Sequence, residues 1–190
     1  MSVKDKKRGR PKGATSHLNG QVIIDMAKCI MREEGKIPSI RQLASRLDVD
    51  AMAIYHYFKN KNTLLVAITT SLVEDIYQPK VNDDWQSELR QLCRSYLSLL
   101  NDFPGLLETL LSMDSAGPAT VFIERFEQVM APLNLDATAS KNALDLLVDY
   151  LHGYALALNC NGEKSTLNID MLDGPLNLYC SALDTMKNID

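Results

Sequence analysis

Two groups of residues have the types and spacing to do chemistry. The first is the stretch from Ser39 to Lys61, SIRQLASRLDVDAMAIYHYFKNK, which sets Arg41, Tyr55, His56, Tyr57 and Lys61 around a compact apolar pattern. It reads as two short helices joined by a tight turn. That is the pattern of a helix-turn-helix, a device for placing one helix end in the major groove of DNA. The second group is Asp149 and His152, three residues apart on one helix and able to pair, with Cys160 near them in sequence only. No serine or thiol nucleophile motif, paired catalytic carboxylates or Gly-rich phosphate loop accompanies them. A structural pair is therefore the expectation, and an enzyme is the competing reading.

The elements that must position the first group have consistent local signals. Ser39 can cap the first short helix, with Gln42 as its reciprocal partner in a capping box. Pro38 disfavours helical geometry at Ile37 and separates this helix from the one upstream. Ile40, Leu43, Ala44 and Leu47 repeat at three and four residues, giving one buried stripe. Ala44 is small where a second helix must cross, and Ile54 is placed to meet that crossing. Asp48 occupies the turn position where the backbone goes left-handed, which Asp tolerates better than most residues.

Leu43, Ala44, Leu47, Val49, Ile54, Tyr55, Tyr57, Phe58, Asn60 and Lys61 together write L-A-x-x-L-x-V-x-x-x-x-I-Y-x-Y-F-x-N-K. This resembles the DNA-binding domain of the tetracycline-repressor (TetR) family over about residues 18 to 80. Residues 81 to 190 resemble the family only in length and helical character. The resemblance implies a recognition helix from about Asp50 to Tyr57. Arg41 falls where an arginine reads guanine, or it holds a phosphate instead; an Arg–guanine pair discriminates by about 1–3 kcal/mol. Tyr55, Tyr57 and Lys61 fall where the family meets phosphates or neighbouring bases, the alternative for the tyrosines being packing within the small domain. Ala51 and Ala53 offer methyl contacts to thymine rather than hydrogen bonds. Ser39 joins the DNA-contacting set.

The charge balance divides the chain. Residues 1 to 80 hold 14 Lys and Arg against 8 Asp and Glu, whereas residues 81 to 190 hold 6 against 16. A basic part suits a polyanion and an acidic part is repelled by it, so the two face different partners. Residues 1 to 17 carry six basic residues and few apolar ones, and read as a disordered arm. Within it Arg8-Gly9-Arg10-Pro11, followed by Lys12, resembles an AT-hook core, which lies in the narrow minor groove of A·T-rich DNA. The ten residue steps from Arg8 to Leu18 reach roughly 30 Å at about 3.3 Å each, enough to enter a neighbouring minor groove. A generic polybasic tail adding phosphate contacts is the alternative.

Asn19 is positioned to cap a first helix running to about Glu34, with Val22, Ile23, Met26, Ala27, Ile30 and Met31 buried and Gly35 as its stop. A long helix begins at Asn60 and stops before Pro79, with Leu65, Ile68, Leu72 and Ile76 as its stripe, so that one rod serves both domains. The remainder reads as helices over about 84–101, 104–113, 121–130, 136–158 and 176–186. No apolar run reaches the roughly 18 residues of a membrane span. Cys29, Cys93, Cys160 and Cys180 are far apart and read as reduced core residues of a cytoplasmic protein, with no metal site.

The expected fold is all-α, with a basic arm at 1–17, a helix-turn-helix domain at 18–80 and a helical bundle at 81–190. The helix around Asp145–Leu158 is apolar on two sides: Leu144, Leu147, Leu151, Ala155 and Leu158 form one stripe, and Leu146, Tyr150, Gly153 and Ala157 another. The resemblance implies that this helix and the last one pair two subunits through a four-helix interface. It also implies a small-molecule effector in the helical bundle, for which Trp85, Tyr96, Phe103, Met113, Phe126 and His152 are the candidate lining. Tetracycline is not expected there, because Tyr77 stands where an ungapped match puts the family's drug-binding histidine. The function implied is a homodimeric DNA-binding regulator, most often a repressor, on a palindromic operator with half-site centres about one or one and a half helical turns apart. A ligand-independent architectural DNA binder is the alternative. No cofactor is implied.

Overall fold

Helix starts are set by side-chain caps. Asn19 accepts from the Val22 amide, Ser39 from Gln42, Asp50 from Met52, Asn60 from Thr63 and Asp84 from Ser87, each supplying one of the acceptors that a helix N-terminus lacks. The computed structural model describes residues 18–80, 84–113, 117–160 and 166–186. Among the described residues there are nine α-helices and no strand. They are α1 (Gly20–Glu34), α2 (Ile40–Arg46), α3 (Ala51–Tyr55), α4 (Lys61–Glu74), α5 (Trp85–Asp102), α6 (Leu106–Ser112), α7 (Gly117–Met130), α8 (Ala137–Cys160) and α9 (Asp173–Met186).

The first three helices and the start of α4 enclose Ile23, Ala27, Ile30, Leu43, Ala44, Ile54, Leu64 and Ile68, all buried. Leu64 rather than Leu65 faces the core, and Val22 of α1 is exposed. The Ser39 cap forms, but Gln42 does not return the bond: its amide donates to Glu34 Oε1 at 2.6 Å, tying α2 to the end of α1. The reciprocal box sits instead at α4, between Asn60 and Thr63. Asp48 has φ 53, the left-handed turn expected of it. A left-handed β-carbon costs about 1–2 kcal/mol, part of which Asp recovers. Asp48→Gly is expected to raise stability by about 0.5 kcal/mol in urea unfolding, after the added freedom of the unfolded chain is subtracted.

Helix α4 ends at Glu74, not before Pro79. The physical reason is a cation. Arg125 of α7 is 8% exposed, and its guanidinium donates to the carbonyls of Val73 (3.3 Å), Glu74 (2.9 Å) and Ile76 (2.8 Å) and to Gln78 Oε1 (3.1 Å). Carbonyls that further helical turns would have used are taken by these donors. The last turn tightens, with Asp75 N–H on Leu72 and Ile76 N–H on Val73. Lys28 of α1 reaches the same end, donating to Ser71 O at 3.0 Å and Asp75 at 2.7 Å. A positive charge at a helix C-terminus complements its dipole. The extended strap after α4 is held by buried Glu88, which accepts from Tyr77 Oη and the Lys80 amide, both at 2.8 Å.

A second joint links the two parts. Arg32 of α1 lies 4.9 Å above the Phe103 ring at the α5–α6 corner. Gly35 and Gly105 meet there with φ 64 and 81, backbone that suits glycine. A polar ladder fastens α9 and the turn before it to α5: Gln86–Asp184, Arg90–Asn177, and Arg94 to both Asp170 and Asp173. Cys93 and Cys180 are buried, as expected of core thiols, whereas Cys29 and Cys160 are exposed on helix surfaces. No helix among the described residues is long and apolar enough to cross a membrane.

Candidate nucleic-acid interface and core cavity

Helix α3 is five residues long, shorter than the expected 50–57, because Tyr57 and Phe58 both turn back to bond the Ile54 carbonyl. Buried Ile54 pins it, and Ala51 packs partly against the core. What α3 and its turn present outward is Met52 (65% exposed), Tyr55, His56 and Tyr57. Ala53 is half-buried. Arg41 is exposed as the second residue of α2, and Lys61 is exposed as the first residue of α4. Neither forms an ion pair among the described residues, in contrast to Lys28 and Arg46, which are matched by Asp75 and Glu33. A cation at a helix N-terminus opposes the dipole, so Lys61 and its neighbour Lys59 weaken α4 unless an anion arrives.

Tyr57 has a more specific role than the sequence suggests. Its hydroxyl donates to the Leu18 carbonyl at 2.7 Å, so its proton is committed to the point where the arm enters the domain. Ser39 is exposed, with its hydroxyl serving as the α2 cap. Arg8, Arg10 and Lys12 lie outside the described residues.

Behind this domain, a cavity of about 390 Å³ opens between α4, α5, α6, α7 and α8. Tyr96 and His152, both expected, line it, and their Oη and Nε2 are 2.9 Å apart. Burial pushes the His152 pKa down, opposed by the nearby charge of Asp149, so the imidazole is neutral at pH 7. The expected Asp149–His152 pair is thus electrostatic, while the hydrogen bond goes to Tyr96, 56 residues away in sequence. Trp85, Phe103, Met113 and Phe126 are not in the wall. Trp85 and Phe126 are consumed by the core, Phe103 by the Arg32 joint, and the Met113 sulfur accepts weakly from Thr69 Oγ1 at 3.6 Å. The wall missed by sequence is Leu110 and Leu111 of α6, Phe122 and Ile123 of α7, and Leu144 and Val148 of α8. Its signal was present in α8, where Leu144, Val148 and His152 recur every four residues.

On the opposite side of α8, Leu146 (64% exposed), Tyr150, Gly153 and Leu156 form an uncovered apolar stripe; Ala157 is half-buried. On α9, Leu178 (76% exposed) and Met186 do the same. Such contiguous exposure is unusual for a monomer's surface.

A three-helix unit joined by α4 to a helical body with its own cavity is the architecture these elements define. Residues 23–68 match the family of bacterial regulatory proteins, tetR family, and residues 78–170 match the tetracyclin repressor-like C-terminal domain. The chain belongs to the TetR family. It is 36% identical over 63 residues to the class A tetracycline repressor of transposon 1721 in Escherichia coli, spanning 32% of this chain and 29% of that protein. It is 31% identical over 86 residues to the class D repressor of Escherichia coli, spanning 43% and 39%. The chain therefore matches well under half the length of these relatives. Among solved structures it resembles ActR of Streptomyces coelicolor in complex with (S)-DNPA, with a TM-score of 0.73 at 18% identity over 90% of this chain and 99% of that one. It also resembles BioQ with its double-stranded DNA operator, with a TM-score of 0.66 at 21% identity over 88% and 98%.

Proposed function

We propose that this protein is a homodimeric, cytoplasmic transcriptional repressor, not an enzyme, that binds a palindromic operator and is released when a small molecule fills the cavity. One observation carries the reading: α4 contributes Lys61 to the DNA-facing surface at one end and Val73 to the cavity wall at the other. Occupancy that displaces Val73 tilts the element on which the reader is mounted. A ligand shifts the equilibrium only by its preference for the non-DNA conformation. Solved relatives include a DNA complex of BioQ and a minocycline complex of an Acinetobacter baumannii repressor variant, which support both halves of the reading by analogy. In this chain Tyr77 is engaged by Glu88, and tetracyclines are not the expected effector.

DNA recognition is assigned to Arg41, Ala51, Met52, Ala53, Tyr55 and Lys61, with Tyr57 and Ser39 positioning the reader and Arg8, Arg10 and Lys12 adding arm contacts. In vitro selection of duplexes should return a palindrome. Binding should weaken steeply between 50 and 200 mM salt, by about 10³-fold if some six phosphates are contacted. Arg41→Ala is expected to relax base preference at one position per half-site, as Arg–guanine pairing is worth about 1–3 kcal/mol. Unchanged preferences would return Arg41 to the phosphate backbone, and absence of any selected duplex would overturn the reading.

A further inference from the structure

The cavity's lining is strongly one-signed. Its described wall holds nine apolar residues, the Tyr96–His152 pair, two aspartates and no Lys or Arg. Asp145 and Asp149 are both exposed at the rim, one helical turn apart on α8, on the same face as Leu144, Val148 and His152. Lys141 pairs with Asp145 from the preceding turn and offsets that charge. Among the described residues Asp149 forms no ion pair, and its charge acts on His152. The imidazole, neutral at pH 7, gives an anion no compensating charge. An anionic ligand entering here meets two carboxylates and no cation in the wall. A cationic one gains their attraction, at a half-open site where the effective dielectric is below that of water.

We propose that the effector is a lipophilic organic cation of roughly three-ring size, with its ring body against Phe122, Ile123 and Val148, its positive group at Asp149, and a polar substituent at the Tyr96–His152 pair. This rests on the cavity's being the effector site and adds the ligand's charge class. The apolar walls supply affinity by burying ring surface. The carboxylate at the rim supplies selection by charge, and the tyrosine–histidine pair supplies orientation. Asp145, half-satisfied by Lys141, contributes less than Asp149.

The test uses three fluorescent probes of similar size on the full-length protein without DNA: proflavine as cation, anthracene-9-carboxylate as anion and N-phenyl-1-naphthylamine as neutral lipophile. Proflavine is expected to bind more tightly than anthracene-9-carboxylate. Asp149→Asn should weaken proflavine by about fivefold, the scale of a partly exposed charge pair, and leave N-phenyl-1-naphthylamine within about twofold, since an uncharged ligand loses no Coulomb energy. Asp145→Asn should have the smaller effect of the two. Val148→Trp, which fills the cavity, should expel every probe. If the neutral probe binds and is expelled by Val148→Trp while proflavine binds no better than the anion, the charge assignment is overturned and the effector cavity stands. If the neutral probe also fails to bind, or binds unaffected by Val148→Trp, both are overturned.

Discussion

Replacing Arg125 with methionine is expected to lower the stability of the protein by about 3 kcal/mol, the scale of leaving buried carbonyl acceptors without their donors. Methionine retains much of the side-chain length and apolar contact, so the loss reports on the donors. Without the guanidinium, the carbonyls of Val73, Glu74 and Ile76 at the α4–α7 junction lose their side-chain donor. Burial lowers the Arg125 pKa, while the charges of Glu74 and Asp75 oppose that shift, so the cation is retained. Arg125→Lys should recover only part of the loss, because an ammonium has three donors and cannot span the four acceptors that the planar fork reaches. Urea unfolding of the three proteins checks this. A Met variant within about 0.5 kcal/mol of the parent, the scale of an ordinary surface substitution, would mean that water replaces the guanidinium at no cost.

The same residue bears on regulation. Helix α7 supplies Phe122 and Ile123 to the cavity and Arg125 to the end of α4. If the cavity takes an effector as proposed, movement of α7 on binding would pull on α4 at its C-terminus, far from Lys61. The side-chain caps at Asn19 and Ser39, the Asp48 turn and most of the apolar stripes were legible in the sequence because each depends on neighbours within a few residues, whereas the Gln42 return bond, Leu65 and Val22 were not as expected. Arg125 was not legible, since its acceptors lie about 50 positions earlier. Nor was the Tyr96–His152 bond, or the consumption of Trp85 and Phe126 by the core, since aromatic residues look alike whether they line a cavity or fill one. The length of α4 was misjudged for the same reason: Pro79 marked a permissible stop, whereas the actual stop came from a cation on another helix.

Charging the uncovered face should have the larger effect on DNA binding. Leu178 is 76% exposed on α9 and Leu146 64% exposed on α8, so neither side chain supports the fold of a single chain. Leu178→Glu, alone or with Leu146→Glu, places a carboxylate in the apolar face through which α8 and α9 are proposed to pair two subunits. Because a two-fold interface presents each residue twice, one substitution introduces two like charges. Leaving a charge unpaired in such a seam costs several kcal/mol, and sedimentation should show monomers at micromolar concentration. Helicity should be retained. Operator affinity should fall by at least about a hundredfold, because two half-sites then lose the effective concentration that a joined pair provides. The remaining binding should become indifferent to half-site spacing. A Leu178→Glu, Leu146→Glu protein that still sediments as a dimer and still requires fixed spacing would place the subunit contact elsewhere, leaving the stripe on α8 and α9 without an assigned role.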